Sequence, residues 1–235
     1  MLMKIFCLCM GIIFIFPKSL FGETIITTSR MESDATIPPF RVLKEGYRRI
    51  GVTLKFEYLP AERAIKDANQ GITDGVLSRI PTLSEKYTNL IRVEPPINEV
   101  EGVAITKNLN FLVKGWESLA PYRIITQRGL KFAEIGLQGM KYSEVNTQKQ
   151  LFDMLNHGRA DFLILAKIDA LVTMKQNEFQ GFKILEPPLV KIQMHHYLHK
   201  KNKKLVPHIS SSLAEMKSEG LIKKIKEDFI KNGFE

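Results

Sequence analysis

Hydrophobic positions along the chain switch repeatedly between a period near two and a period near 3.6, the pattern of strands alternating with helices. Thr24–Thr28 (TIITT) reads as a first strand. Pro38-Pro39 then opens a helix in which Phe40, Leu43, Tyr47 and Ile50 keep helical spacing. Val52, Leu54, Phe56 and Tyr58 alternate with polar residues, which predicts a strand with one buried face. Pro60 starts a helix over Ala61–Asn69, ended by Gly71. Gly75–Ser78 is a short apolar strand that runs into the polar loop Arg79–Asn89.

The alternation continues downstream. Glu99–Thr106, Tyr122–Thr126, Lys141–Val145 and Asp161–Leu165 are predicted strands. Helices are predicted from Gly129 through Leu137, from a Thr147/Gln150 capping box to Gly158, and over Lys167–Gln176. Met194–His199 is extended, and Gly220 separates two amphipathic helices, Leu205–Ser218 and Leu221–Lys231. Such βαβ units predict an α/β fold of mostly parallel sheets flanked by helices. Two extended stretches, Gly102–Asn108 and Pro187–Met194, can connect a pair of lobes.

The start of the chain breaks this rhythm. Ile5–Phe16 is an unbroken run of twelve apolar residues behind Lys4. As a helix it spans ~18 Å, too short for a ~30 Å hydrocarbon core. It reads as a signal peptide over residues 1–22, cleaved after Gly22, which predicts export to the periplasm. Cys7 and Cys9 both lie in this run, so the remaining chain has no cysteine and no disulfide, thiolate nucleophile or Cys-ligated metal. The formal charge of the 235-residue chain is +9. For an exported protein that excess points to anionic solutes or surfaces rather than nucleic acid.

With the elements in place, an ordered set of segments carries a resemblance. It comprises Pro38–Phe40, the turn Gly71–Asp74, Gly75–Ile97 (GVLSRIPTLSEKYTNLIRVEPPI), Leu151–Leu165 (LFDMLNHGRADFLIL) and Leu213–Phe229 (LAEMKSEGLIKKIKEDF). Together these resemble the bacterial extracellular solute-binding proteins of the amino-acid importer type. The resemblance implies a type II periplasmic binding fold in which two α/β lobes, joined by two hinge strands, close over a small ligand. It places lobe 1 at residues 23–104 plus 194–235 and lobe 2 at 105–193. It also implies a membrane transporter permease or a sensor protein as partner, a monomer, no cofactor and no enzymatic activity.

The departures from the family pattern shape the expected ligand. Relatives that bind α-amino acids carry an Arg twelve residues after the first Gly-x-x-Asp aspartate; here that position is Lys86, a point charge rather than a bidentate fork. Small hydroxyl residues expected five and seven positions after Asp74 are Arg79 and Pro81. The aspartate expected five residues after Asp161, to hold an ammonium, is Ala166. Basic residues accumulate instead, so the ligand is expected to be anionic. Arg63, Arg79 and Lys86 from lobe 1 and the backbone N–H groups near Leu130 and Lys131 from lobe 2 are the expected contacts, with Tyr58 stacking on an apolar part.

Other chemistry finds weaker footing. His195 and His199 share a strand face but stand ~13 Å apart, too far for one metal ion. There is no Gly-x-Ser-x-Gly elbow. The runs Lys200–Lys204 and Lys223–Lys226 read as solvated faces, membrane or partner contact being the alternative. The rival to a binding protein is a dehydratase-like enzyme for small carboxylic acids on the same scaffold, with Glu94 or Glu62 as its general acid. A degenerate, ligand-free interaction module is the third reading.

Overall fold

The computed structural model describes the backbone of residues 25–30 and the chain from 34 to 232. The expected signal segment and both cysteines lie outside the described residues. Strand β1 (Ile25–Arg30) precedes a 3-10 turn (Asp34–Thr36) and helix α1 (Ile37–Arg49). Pro38 and Pro39 occupy the first turn of α1, where their missing N–H groups have no helical partner to lose. Strand β2 (Thr53–Tyr58), helix α2 (Ala61–Gln70) and strand β3 (Gly75–Arg79) follow. Gly71 closes α2 in a left-handed conformation at φ 77°. Next come α3 (Leu83–Lys86), β4 (Leu90–Arg92) and the long β5 (Asn98–Thr106).

The chain continues through β6 (Ile124–Gln127), α4 (Lys131–Gly136), β7 (Tyr142–Val145) and α5 (Gln148–Asn156). The predicted capping box starts α5: Thr147 accepts from the Gln150 N–H and Gln150 accepts from the Thr147 N–H. Then follow β8 (Phe162–Ala166), α6 (Lys167–Gln176), β9 (Lys183–Ile184), β10 (Val190–His199), α7 (Val206–Ser218) and α8 (Leu221–Asn232).

The strands run in the order β2-β1-β3-β10-β5-β8-β6-β7. Within it, β2, β1 and β3 are parallel, as are β8, β6 and β7. The antiparallel β5 and β10 lie between these two parallel groups. Val190–Met194 of β10 pairs Gly102–Asn98 of β5. Past a register shift between His195 and Tyr197, β10 pairs β3 and β4. This single strand replaces the predicted connector Pro187–Met194 and the separate extended segment after it.

Each parallel group has its own apolar core. Leu43 and Tyr47 of α1, Leu77 of β3 and Ile209, Leu213 and Met216 of α7 bury one. Phe152 and Leu151 of α5 and Leu163 and Leu165 of β8 anchor the other, with Phe162 and Ile164 on the opposite sheet face. A small third cluster joins Phe229 of α8 to Ile168 and Val172 of α6. At Gly75 an added Cβ would lie 2.2 Å from the Tyr197 carbonyl oxygen, so β3 and β10 meet closely there because the residue has no side chain. The expected loop Arg79–Asn89 contains α3, and β4 and β9 were not predicted; at three and two residues they are too short to show a period. The segment before α7 is a 3-10 turn, Lys200–Leu205.

His195 and His196 are both buried, on opposite faces of β10. Among the described residues no three His, Cys, Asp or Glu side chains converge as metal ligands. His196 Nδ1 lies 2.9 Å from the Val76 carbonyl oxygen, which requires that nitrogen to carry the proton. Its Nε2 then accepts from the Tyr47 hydroxyl, 2.9 Å away. Burial pushes the imidazole pKa down to about 4, so the native ring is neutral while the unfolded ring titrates near 6.5. The unfolded chain therefore binds more protons between these values, and the protein loses stability as pH falls from about 6.5 to about 4. Urea denaturation across that range should show this slope, flattened in His196→Gln. Tyr47→Phe leaves Nε2 without a donor and should cost ~1–3 kcal/mol.

Candidate functional site

A cavity of about 680 Å3 lies between the two parallel groups, at the carboxyl ends of β3 and β6, where ligands of α/β sheets bind. Strands β5 and β10 contribute Asn98, Val100 and Met194 to its lining. Arg79 enters from the end of β3, Asp34 from the 3-10 turn before α1, and Asp169 from the first turn of α6. Gln127, Gln148 and Gln176 add amides.

Arg79 is half-buried, and its Nη1 donates to the Ser78 carbonyl at 2.7 Å. Its Nη2 reaches the Ala61 carbonyl only at 3.5 Å. It forms no ion pair among the described residues. Burial lowers its pKa, opposed by the more distant Glu62 carboxylate, and the guanidinium stays charged. A desolvated cation with donors in hand and no counter-ion is costly unless something anionic arrives.

Asp169 is its opposite. Burial pushes this carboxyl up to about 6; the neighbouring Asp34 adds to the rise and a hydrogen bond with Gln148 opposes it. It too has no ion-pair partner among the described residues. Asp34 is held by the Gln176 amide, which donates to its Oδ2 at 2.8 Å. Asp34 and Asp169 thus give the cavity two carboxyl groups alongside the guanidinium of Arg79.

Of the six residues expected from sequence to touch the ligand, Arg79 and Leu130 line this cavity and the other four do not. The Leu130 N–H already donates to the Gln127 carbonyl at 3.2 Å. Lys131 points its ammonium at Glu134 on its own helix, 2.6 Å away, with its side chain 79% exposed. Arg63 sits on the solvent face of α2, opposite the buried Ala64, Ile65 and Ala68, and pairs with Asp67 at 3.4 Å. Tyr58 ends the edge strand β2, separated from β10 by two strands, and packs edge-on against Phe56. Lys86 ends α3, its ammonium 5.5 Å from the Tyr87 ring. Arg128 lines the cavity while pairing loosely with Glu144 at 3.5 Å. Gly129, at φ 82°, makes the turn that brings Arg128 and Leu130 to it.

Asp34 and Asp169 are the residues that sequence reasoning missed. The one available signal was an aspartate three residues after the vacant family position at Ala166, where it reads as an ordinary first-turn helix acid. The raised folded pKa means native Asp169 holds a proton in the window from 3.8 to about 6 that the unfolded chain has lost. The group is therefore neutral for stability below 3.8 and destabilising above about 6, by ~1–3 kcal/mol. Asp169→Asn should raise the melting temperature at pH 7.5, and the gain should vanish near pH 4; equal gains at both pH values would contradict this assignment.

No family model matches the sequence. An uncharacterized protein of Shewanella oneidensis is 32% identical over 190 residues, 76% of this chain and 70% of the relative. Among solved structures, the L-cystine solute receptor of Neisseria gonorrhoeae, in its unliganded open conformation, aligns with a TM-score of 0.69 at 18% identity, covering 88% of this chain and 93% of the receptor. A histidine kinase sensor domain with similarity to periplasmic binding proteins aligns at 0.66 and 14% identity, over 88% and 96% of the two chains. The chain has the type II periplasmic binding fold and belongs to the family of the Shewanella oneidensis protein.

Proposed function

We propose that the protein is an exported solute-binding protein that captures a small dipolar solute in this cavity and presents it to a membrane transporter or sensor. One observation carries the reading: a half-buried guanidinium at the end of β3 and a carboxyl in the first turn of α6, pushed up by burial, both line one cavity, and neither has an ion-pair partner among the described residues. A solute with an anionic group for Arg79 and an ammonium for Asp169 satisfies both at once. The purely anionic ligand expected from sequence rested on the missing acid at Ala166, and Asp169 supplies one. The L-cystine receptor binds a molecule with both kinds of group, which agrees with this choice. Residues 23–104 with 194–235, and residues 105–193, are the proposed lobes, closing about β5 and β10.

A second reading, an enzyme on this scaffold, draws on the same pKa of about 6, which suits a general acid. Its acid would be Asp169. Glu94 is tied to Arg92 at 2.6 Å and lies 3.3 Å from His195, and neither it nor Glu62 lines the cavity.

The test is a thermal-shift and calorimetry panel of neutral amino acids, dicarboxylates and diamines. Amino acids should raise the melting temperature, by the equivalent of ~2.7 kcal/mol at a hundredfold excess over Kd. Arg79→Ala should weaken binding ~10–100-fold, the worth of a charge-assisted contact. Affinity should also fall as pH drops from 7 to 5 and Asp169 gains its proton. A response to dicarboxylates alone would return the ligand to the anionic class. Recovery of the bound molecule chemically altered would favour the enzyme.

A further inference from the structure

The 3-10 turn Lys200–Leu205, at the end of β10, carries four lysines in its first five residues. Neighbouring segments hold it in place. The His199 N–H donates to the Asp74 carbonyl at 2.7 Å, and the Lys200 N–H to the Asn89 carbonyl at 2.8 Å. The Asp74 carboxylate binds Lys201 at 3.0 Å and the Asn202 amide at 2.9 Å. With Asp74 so occupied, Lys200, Lys203 and Lys204 are exposed and form no ion pair among the described residues. Lys201 also donates to the Gly71 carbonyl at 2.7 Å, which fastens the lysine turn to the turn between α2 and β3. Ile72 stands in that second turn, 68% exposed. Burial lowers the pKa of His199, and Lys201 and Lys200 lower it further against the charge of Asp74, so the local field is positive.

Strand directions place this patch in the molecule. Leu198 of β10 pairs with Gly75, the first residue of β3, so the lysine turn lies at the amino end of β3. The cavity described above is at the carboxyl end. Strand β1 runs parallel to β3 with Thr28 beside Gly75, so Ile25 extends ~10 Å past β3 on the lysine side. The chain therefore enters the fold at this pole. The apolar run Ile5–Phe16 precedes it with residues 17–24 between, a reach of at most ~30 Å.

We propose that this pole rests on the surface of an anionic phospholipid bilayer, holding the protein at the membrane with its solute cavity at the far end. The proposal takes up the export reading and is indifferent to what the cavity binds. Three ammonium groups on one fixed turn meet headgroup phosphates together, and Ile72 beside them enters the interface. Lysine suits a fluid sheet of charge, because it acts as a point charge and needs no bidentate geometry. The entry of the apolar run at the same pole favours a bilayer over an acidic protein surface.

The test measures the full-length chain on vesicles of phosphatidylcholine alone and of phosphatidylcholine with phosphatidylglycerol. The neutral vesicles report what the apolar run contributes by itself. Partition onto the anionic vesicles should exceed this ~100-fold at low salt, about fivefold for each free lysine, and the excess should vanish in ~0.5 M salt. Lys200→Gln, Lys203→Gln and Lys204→Gln combined should remove the excess and leave binding to neutral vesicles unchanged. Lys217→Gln, Lys224→Gln and Lys231→Gln combined remove the same charge from exposed positions on α7 and α8 and should keep it. The emission of Ile72→Trp should move to the blue on anionic vesicles at low salt. Equal partition onto the two kinds of vesicle overturns the proposal. So does an equal loss in both triple variants, which would assign the effect to net charge, or an Ile72→Trp emission that stays in place. Binding of poly-L-glutamate without any excess on anionic vesicles, abolished in the first triple variant, overturns it in favour of an acidic protein. None of these outcomes bears on the cavity, whose ligands are measured without vesicles.

Discussion

Five rungs of antiparallel pairing, Val190–Met194 against Gly102–Asn98, hold the molecule in its working arrangement. Each parallel group has its own core, but β10 belongs to both, pairing β5 with its first half and β3 with its second. The end of β3 and the start of α6 face one another because this ladder sets their distance and angle. Its register matters as much as its existence. Asn98 and Val100 line the larger cavity while Glu99 and Glu101 bind Lys191, Lys167 and Lys226 elsewhere. A slip of one residue would turn the two glutamates inward and flood the cavity with negative charge.

Against that scaffold, the cavity's charges run counter to the way stable proteins arrange theirs. Several exposed charged side chains of this protein pair across one helical turn, as in Arg48–Glu45, Lys149–Asp153 and Lys223–Glu227. Such pairs contribute little to stability. Arg79 and Asp169 are instead partly withdrawn from water and, among the described residues, left without counter-ions, which is costly for each group. Strain of this kind persists where a ligand relieves it.

Much of the fold was legible in the sequence. The proline pair of α1, the capping box of α5 and the alternation in β2 depend on local stereochemistry, which travels with the residues themselves. What local patterns cannot carry is the direction in which a surface cation points. Arg63 and Lys131 sit on the expected helices, but each has an acid within helical reach, at Asp67 and Glu134, and folds onto it. Arg79 has no such neighbour; Val76 and Leu77 before it and Pro81 after it leave it in the cavity wall. Tyr58 lies outside the lining of this cavity, and strand order, which puts β2 at the sheet edge, is a long-range property that local patterns do not carry. Asp169 escaped notice because the family spacing pointed three residues earlier. Once α6 is drawn as a helix, its first turn opens on the cavity and any acid there becomes a candidate.

The third apolar cluster has a mechanical consequence. Phe229, fully buried, belongs to the C-terminal helix yet leans on Ile168 and Val172 from the other parallel group. Any motion that draws α6 away from α8 must uncover this ring, at ~1.5–3 kcal/mol if the separation is complete. The ring thus ties the two parallel groups together at a second place, apart from the β5–β10 ladder.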